Sequence, residues 1–213
     1  MSTRLEVGII DYDMGNLKSV AKALEKVGAE VRLVDRPSPL KFSDVLVLPG
    51  VGSFHIAIQN LKKRRLFEPI RNWISEQKPF LGICLGYQLL FEKGEEGRSG
   101  EKGLGIFKGN VRRFPRKKNL KVPHMGWNQI SWERGGSVRS ALLEAIPDES
   151  YFYFVHSYFP VPSEKDIVAT TTDYGIKFAS SVWRGRLFAC QFHPEKSGEN
   201  GLRLLKNFLE SAL

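Results

Sequence analysis

Phe80-Leu81-Gly82-Ile83-Cys84-Leu85-Gly86-Tyr87-Gln88 is the stretch on which the fold turns. A short apolar run, the right length for a buried strand, enters Gly-x-Cys-x-Gly, and residues 87–91 read as a helical continuation. A nucleophile held on a sharp strand-to-helix turn has this form, with cysteine where serine often stands. Both glycines are needed because backbone meets backbone at such a turn and flanking side chains would collide. The turn exposes the thiol of Cys84. The helix N-terminus then favours its thiolate, and the free amide of Leu85 points to where an oxyanion would form. Gln88, one helical turn on, shares a face with Cys84 and can hydrogen-bond a polar substrate. The bland alternatives are a small core cysteine and a helix-surface glutamine.

Outward from this turn, the first half alternates apolar runs with helical patterns, the mark of βαβ units around a parallel sheet. Strands are expected over residues 5–10, 30–34, 45–48 and 80–83. Helices are expected over 16–27, closed by Gly28, and over 67–76. The second half is strand-rich, with strands expected over 105–113, 128–132, 151–158, 167–172, 178–183 and 187–191. A closing helix over 199–212 carries the stripe Leu202, Leu205, Phe208 and Leu209. Residues 92–102, rich in Gly, Glu and Lys, read as an exposed loop. The expected architecture is α/β: an open, mostly parallel central sheet flanked by helices, with additional antiparallel strands in the second half.

A length of 213 residues with 42% hydrophobic content suits one domain, residues 1–213, with a full core. No run is long and apolar enough for a membrane helix, and the N-terminus enters a strand pattern with no signal-peptide core, so a soluble cytoplasmic protein is expected. Two cysteines make no disulfide framework, and both are expected as thiols. The net charge of +9 gathers in Lys62-Lys63-Arg64-Arg65, in a helix or at its end, and in residues 112–118, a strand end entering a loop. Neither run sits in a recognisable nucleic-acid module. A solvated basic face, or one that meets an acidic partner, is the preferred reading, with nucleic acid as the alternative.

A cysteine hydrolase needs a histidine to pair with the thiolate and protonate the leaving group. Of His55, His124, His156 and His193, the last follows a strand and sits in His193-Pro194-Glu195. Proline disfavours helix there, so an extended backbone puts residues two apart on one side. Glu195 can therefore reach the His193 ring and orient it. His156 reads as a partly buried strand histidine, and His55 and His124 lack an adjacent carboxylate. No Cys/His spacing suggests zinc, so no metal and no cofactor are expected. Cys190, in a strand pattern without such a turn, is expected to be inert.

Pro49-Gly50-Val51-Gly52-Ser53 follows the strand at 45–48, which places its amides at the same sheet edge as Cys84. Gly52 can supply a second oxyanion donor, although a glycine loop here could also cradle phosphate. In this order, Pro-Gly-Val-Gly, Gly-Ile-Cys-Leu-Gly-x-Gln and His-Pro-Glu resemble the class I (triad) glutamine amidotransferases, over essentially the whole chain. Pro123-His124-Met125-Gly126-Trp127-Asn128, residues 153–158 and His193-Pro194-Glu195-Lys196-Ser197 are similar to the branch that feeds a (β/α)8-barrel cyclase in histidine biosynthesis.

The resemblance implies a glutaminase in which Cys84, His193 and Glu195 are the triad and the amides of Gly52 and Leu85 hold the oxyanion. Glutamine would be held by Gly50, Val51 and Gly52, by Gln88, by Glu96 or its neighbour Glu95, and by the backbone of Ser157 and Tyr158. It also implies that Met125, Trp127, Tyr153 and Lys196 face the partner cyclase. The alternatives are a glutaminase serving another synthase, and a basic binding module on the same fold.

Overall fold

The computed structural model describes residues 4–96, 101–116, 120–133 and 139–213. At its centre, eight strands lie in the order β2 (Glu30–Val34), β1 (Glu6–Ile10), β3 (Val45–Leu48), β4 (Phe80–Ile83), β14 (Leu187–Cys190), β13 (Lys177–Arg184), β12 (Val168–Asp173) and β9 (Ser131–Trp132). The first five are parallel, and β13, β12 and β9 add antiparallel neighbours on one side. The inner parallel strands β3, β4 and β14 are apolar and buried throughout because both faces are covered, whereas the edge strand β2 carries Glu30 and Arg32. In β3, Val45 and Val47 join one core cluster while Leu46 and Leu48 join the other. Helices α1 (Leu17–Lys26), α5 (Arg139–Leu142) and α6 (Gly198–Ser211) cover the first face; α2 (Phe54–Lys63) and α3 (Phe67–Ser75) cover the second.

The elements form where the local chemistry favours them. Asn16 opens α1 by accepting the Ser19 amide at 3.2 Å, and Gly28, with φ at 99°, takes the chain out beyond it. In α2, Phe54, Ala57, Ile58 and Leu61 are buried at helical spacing.

Two small sheets stand beside the central one: β8 (His124–Gln129) paired antiparallel with β10 (Tyr151–His156), and the order β11 (Tyr158–Pro162), β7 (Phe107–Arg113), β5 (Phe91–Gly94), β6 (Glu101–Lys102). Several elements differ from those expected. The helical continuation after Cys84 ends after one turn, α4 (Leu85–Gln88). The carbonyls of Leu89 and Leu90 accept the amides of Leu104, Ile106 and Phe107 from the returning chain, so they are spent outside a helix. The expected loop over 92–102 contains β5 and β6, hidden in the sequence because only Phe91 and Gly94 of β5 are buried. Residues 97–100 of that stretch lie outside the described residues. The expected strand 151–158 is two strands broken at Ser157, because β10 pairs with β8 and β11 with β7. The strand expected at 128–132 begins earlier, at His124, and is interrupted at Ile130.

Candidate active site

Loops leaving the carboxyl ends of three adjacent strands, β3, β4 and β14, converge, which is where open α/β sheets hold ligands. Cys84 sits on the turn after β4 with φ 53° and ψ −106°, a conformation that costs a non-glycine residue about 1–3 kcal/mol. The framework enforces it. The Cys84 amide donates to Cys190 O at 2.8 Å, and its carbonyl accepts the amides of Tyr87 and Gln88. A Cβ on Gly86 would lie 1.8 Å from the Leu48 carbonyl oxygen, so this turn admits only glycine there.

The loop after β3 is pinned by Tyr12, whose Oη donates to Pro49 O at 2.8 Å. Burial, reinforced by Cys84, pushes the Tyr12 phenol well up, so it remains a donor. A Cβ on Gly50 would meet that Oη at 2.1 Å. The Leu85 amide, expected to be free, donates to Gly50 O at 3.2 Å, because the loop after β3 lies directly over the start of α4. The amides of Val51 and Gly52 make no hydrogen bond among the described residues.

After β14, the His193 amide donates to Tyr153 O at 2.9 Å, and its carbonyl accepts Ser197 Oγ at 2.6 Å. His193 Nδ1 lies 2.8 Å from Glu195 Oε1, with both side chains 3% exposed. Burial alone would lower the His193 pKa, but Cys84 and the Glu195 carboxylate outweigh it and raise it to about 10. Cys84 acts on the ring by its charge first and also through a side-chain hydrogen bond, and His193 Nε2 has no other partner among the described residues. That buried nitrogen is free to exchange a proton with a reacting group. Cys190, fully buried, has its thiol pushed well up by desolvation and cannot compete as a nucleophile.

In front of the sulfur is a cavity of about 280 Å³. Of the expected residues, Val51, Gly52, Cys84, Leu85, Gln88, Glu96, Ser157 and Tyr158 line it; Gly50, His193 and Glu195 do not. Glu96, not Glu95, is in the cavity. Its Oε2 accepts the Phe54 amide at the start of α2 at 2.7 Å, whereas Glu95 accepts the Arg113 amide at 3.0 Å. Gln88 donates to Tyr158 O at 2.9 Å and to Gln191 Oε1 at 3.2 Å, leaving its own oxygen for a ligand. Among the described residues no group of three or more His, Cys, Asp or Glu side chains could hold a metal.

A family model described as glutamine amidotransferase class-I matches residues 8–212. The chain is a class I glutamine amidotransferase. This amidotransferase is 50% identical over 204 residues, 95% of either chain, to the imidazole glycerol phosphate synthase subunit HisH of Thermosynechococcus vestitus. It is 49% identical to the protein of that name from Moorella thermoacetica, over 96% of this chain and 94% of the relative. Among solved structures, a chain of PurLQS from Thermotoga maritima superposes with a TM-score of 0.75 at 17% identity, covering 98% of this chain and 99% of that one. A glutamine amidotransferase of the same organism gives 0.64 at 18%, covering 99% and 96%. At such identities these two likenesses bear on the fold alone.

In the amidotransferase, the four residues expected to face a partner gather on and beside the β8–β10 ribbon. Met125 and Trp127 are 63% and 55% exposed. Tyr153 stands opposite Trp127 across the ribbon, and Lys196 Nζ lies 5.8 Å from the Tyr153 ring centre. The Tyr153 ring in turn lies 6.5 Å from that of His193, so this apolar face adjoins the His193–Glu195 pair. Three features escaped the sequence. Tyr12 anchors the glycine loop from 37 residues away. His55 does find a carboxylate, Glu101 Oε2 at 2.8 Å, through tertiary contact. Finally, Gln191 Nε2 lies 3.6 Å from the Cys84 sulfur; its only sequence signal is its place two residues before His193.

Proposed function

We propose that this amidotransferase is the glutaminase subunit of imidazole glycerol phosphate synthase, hydrolysing L-glutamine and passing ammonia to a cyclase subunit in histidine biosynthesis. The observation that carries the reading is the identity of about half, over 95% of both chains, to a curated protein of that name. The Cys84, His193 and Glu195 arrangement supports it. Residues 1–213 serve as one glutaminase domain, in a cytoplasmic heterodimer with a (β/α)8-barrel cyclase that carries out the lyase half of the reaction. Neither a cofactor nor a metal takes part.

The Cys84 thiolate attacks the carboxamide carbon of glutamine, and the electron pair of the C=O bond moves to oxygen. When the tetrahedral intermediate collapses, the C–N bond breaks and His193 gives its Nε2 proton to the departing ammonia. Water then loses a proton to His193 and attacks the glutamyl thioester, releasing glutamate and the thiolate. Glu195 holds the ring and steadies its charged form. Gly50, Val51, Gly52, Gln88, Glu96 and the backbone of Ser157 and Tyr158 orient glutamine in the cavity.

Gly52 and Leu85 amides hold the oxyanion. Because Leu85 is engaged with Gly50 O, the loop at 49–53 must shift before both donors are free, and docking of the liganded cyclase against Met125, Trp127, Tyr153 and Lys196 supplies that shift. The test is glutamate release with and without the cyclase and its ribonucleotide substrate, with Cys84→Ala as the blank. Release that needs Cys84 and rises at least about tenfold with the liganded cyclase is expected. Full turnover by the isolated chain would remove the partner from the account.

A further inference from the structure

Cys84 needs more than the start of α4 to favour its thiolate. A helix of four residues supplies little of the N-terminal field that a longer helix directs at a nucleophile. Beside the sulfur stands a donor that the triad does not include. Gln191 is fully buried just beyond the end of β14, with Nε2 3.6 Å from Cys84 Sγ and Oε1 3.2 Å from Gln88 Nε2.

The orientation of that amide is determined by its neighbours. A backbone carbonyl can only accept, so Gln88 must turn its NH2 toward Tyr158 O, 2.9 Å away. The second hydrogen of the same NH2 then falls to Gln191 Oε1. Gln191 is left with its NH2, not its oxygen, toward the sulfur; flipping either amide would set donor against donor or oxygen against oxygen.

A second arm ends on the same Tyr158 carbonyl. His156 Nδ1 donates to it at 2.8 Å, so His156 Nε2 is bare and accepts from His124 Nδ1 at 3.0 Å. His124 Nε2 accepts from Asn128 Nδ2 at 3.2 Å, and the other Asn128 proton goes to Asp173 O at 2.9 Å. Burial lowers the pKa of His156 to about 3 and of His124 to about 4, so both stay neutral and the arm keeps one direction near neutral pH. A neutral thiol is a poor acceptor, whereas hydrogen bonds to an ionised acceptor are about twice as strong. A buried amide aimed at sulfur is therefore of most use to the thiolate.

We propose that Gln191 is a further catalytic residue, donating its Nε2–H to the Cys84 thiolate, and that Gln88 and the Tyr158 carbonyl are the positioning groups that turn this end of the amide toward the sulfur. The inference rests on Cys84 being the nucleophile, as proposed above. Gln191→Met keeps the volume and removes the donor; Gln191→Glu keeps the shape and replaces the donor with oxygen, and it serves as well if the Met variant folds poorly. The other titratable groups coupled to the sulfur or its base, Tyr12, His156, Cys190, His193 and Glu195, keep their side chains in both variants.

The experiment follows iodoacetamide alkylation of Cys84 against pH in the complex with the cyclase, with buried Cys190 as the internal reference, alongside kcat and KM for glutamine. In Gln191→Met the alkylation midpoint moves up by about half to one pH unit, and kcat falls about tenfold with KM changed less than about twofold. Gln191→Glu moves both in the same direction and further. An unmoved midpoint, or a loss confined to KM, would overturn the proposal. Glutaminase activity surviving in Cys84→Ala would instead sink the underlying assignment, so the two failures are distinguishable.

Discussion

The proton on His193 Nδ1 has an acceptor within reach among the described residues, the Glu195 carboxylate at 2.8 Å, and Cys84 acts on the ring by its charge and by a side-chain hydrogen bond. The charges of Cys84 and Glu195 lift the His193 pKa from 6.5 to about 10 against its burial, so at neutral pH the ring holds its proton for delivery to the leaving ammonia. Glu195→Gln removes one of these charges while keeping a side chain of the same shape. The His193 ring should then titrate lower, as followed by the pH dependence of its NMR signals, and kcat should fall about a hundredfold or more. Much of this site was legible from residue types alone: a cysteine between two glycines after an apolar run, and a carboxylate two positions beyond a histidine in an extended segment. Gln191 was not, because a polar residue at the end of Leu187-Phe188-Ala189-Cys190-Gln191 looks like the point where a strand leaves the core. Its meaning comes from Gln88 and Tyr158, which no local pattern brings near it.

At the scale of elements, the site depends on two close backbone approaches. Gly86→Ala would drive a methyl group into the Leu48 carbonyl, which cannot move without displacing β3, and should cost at least about 3 kcal/mol in urea unfolding. Gly50→Ala meets a removable obstacle, the Tyr12 hydroxyl. The double variant with Tyr12→Phe should recover part of the stability lost in Gly50→Ala, giving a favourable coupling in a double-mutant cycle; strict additivity would contradict this packing. The inner parallel strands β3, β4 and β14 could be read directly, since strands covered on both faces are continuously apolar and few other elements are. The helix α2 is also written in the sequence, in the helical spacing of Phe54, Ala57, Ile58 and Leu61 ahead of its basic end. The small sheets were harder. Strand β5 shows a largely polar sequence, and the helical spacing after Cys84 is overridden by chain returning to bond Leu89 and Leu90.

For the whole molecule, the buried histidines make stability depend on pH. His124 and His156 are depressed from 6.5 to about 4 and about 3, so below about pH 6.5 the unfolded chain binds protons that the folded one refuses. Their contribution is complete above pH 6.5 and is lost as pH falls toward 4 and 3, by up to about 1.4 kcal/mol per histidine per pH unit. Urea unfolding midpoints should fall from pH 7 to pH 5, and less so in His124→Asn. The basic surface is partly spent internally: Arg64 pairs with Asp13 and Lys62 with Glu101. Lys196, in the turn after His193 and 5.8 Å from the Tyr153 ring centre, has no carboxylate partner among the described residues, and Lys196→Ala should weaken assembly with the cyclase and reduce its salt dependence, as measured by titration calorimetry at two ionic strengths.

Cys84 as the nucleophile toward glutamine is tested most directly by mapping where the diazoketone analogue of glutamine attaches in the assembled enzyme. One label per chain on the peptide carrying Cys84, none on Cys190, and inactivation in step with labelling are predicted. Stoichiometric inactivating label on any other residue would contradict the account.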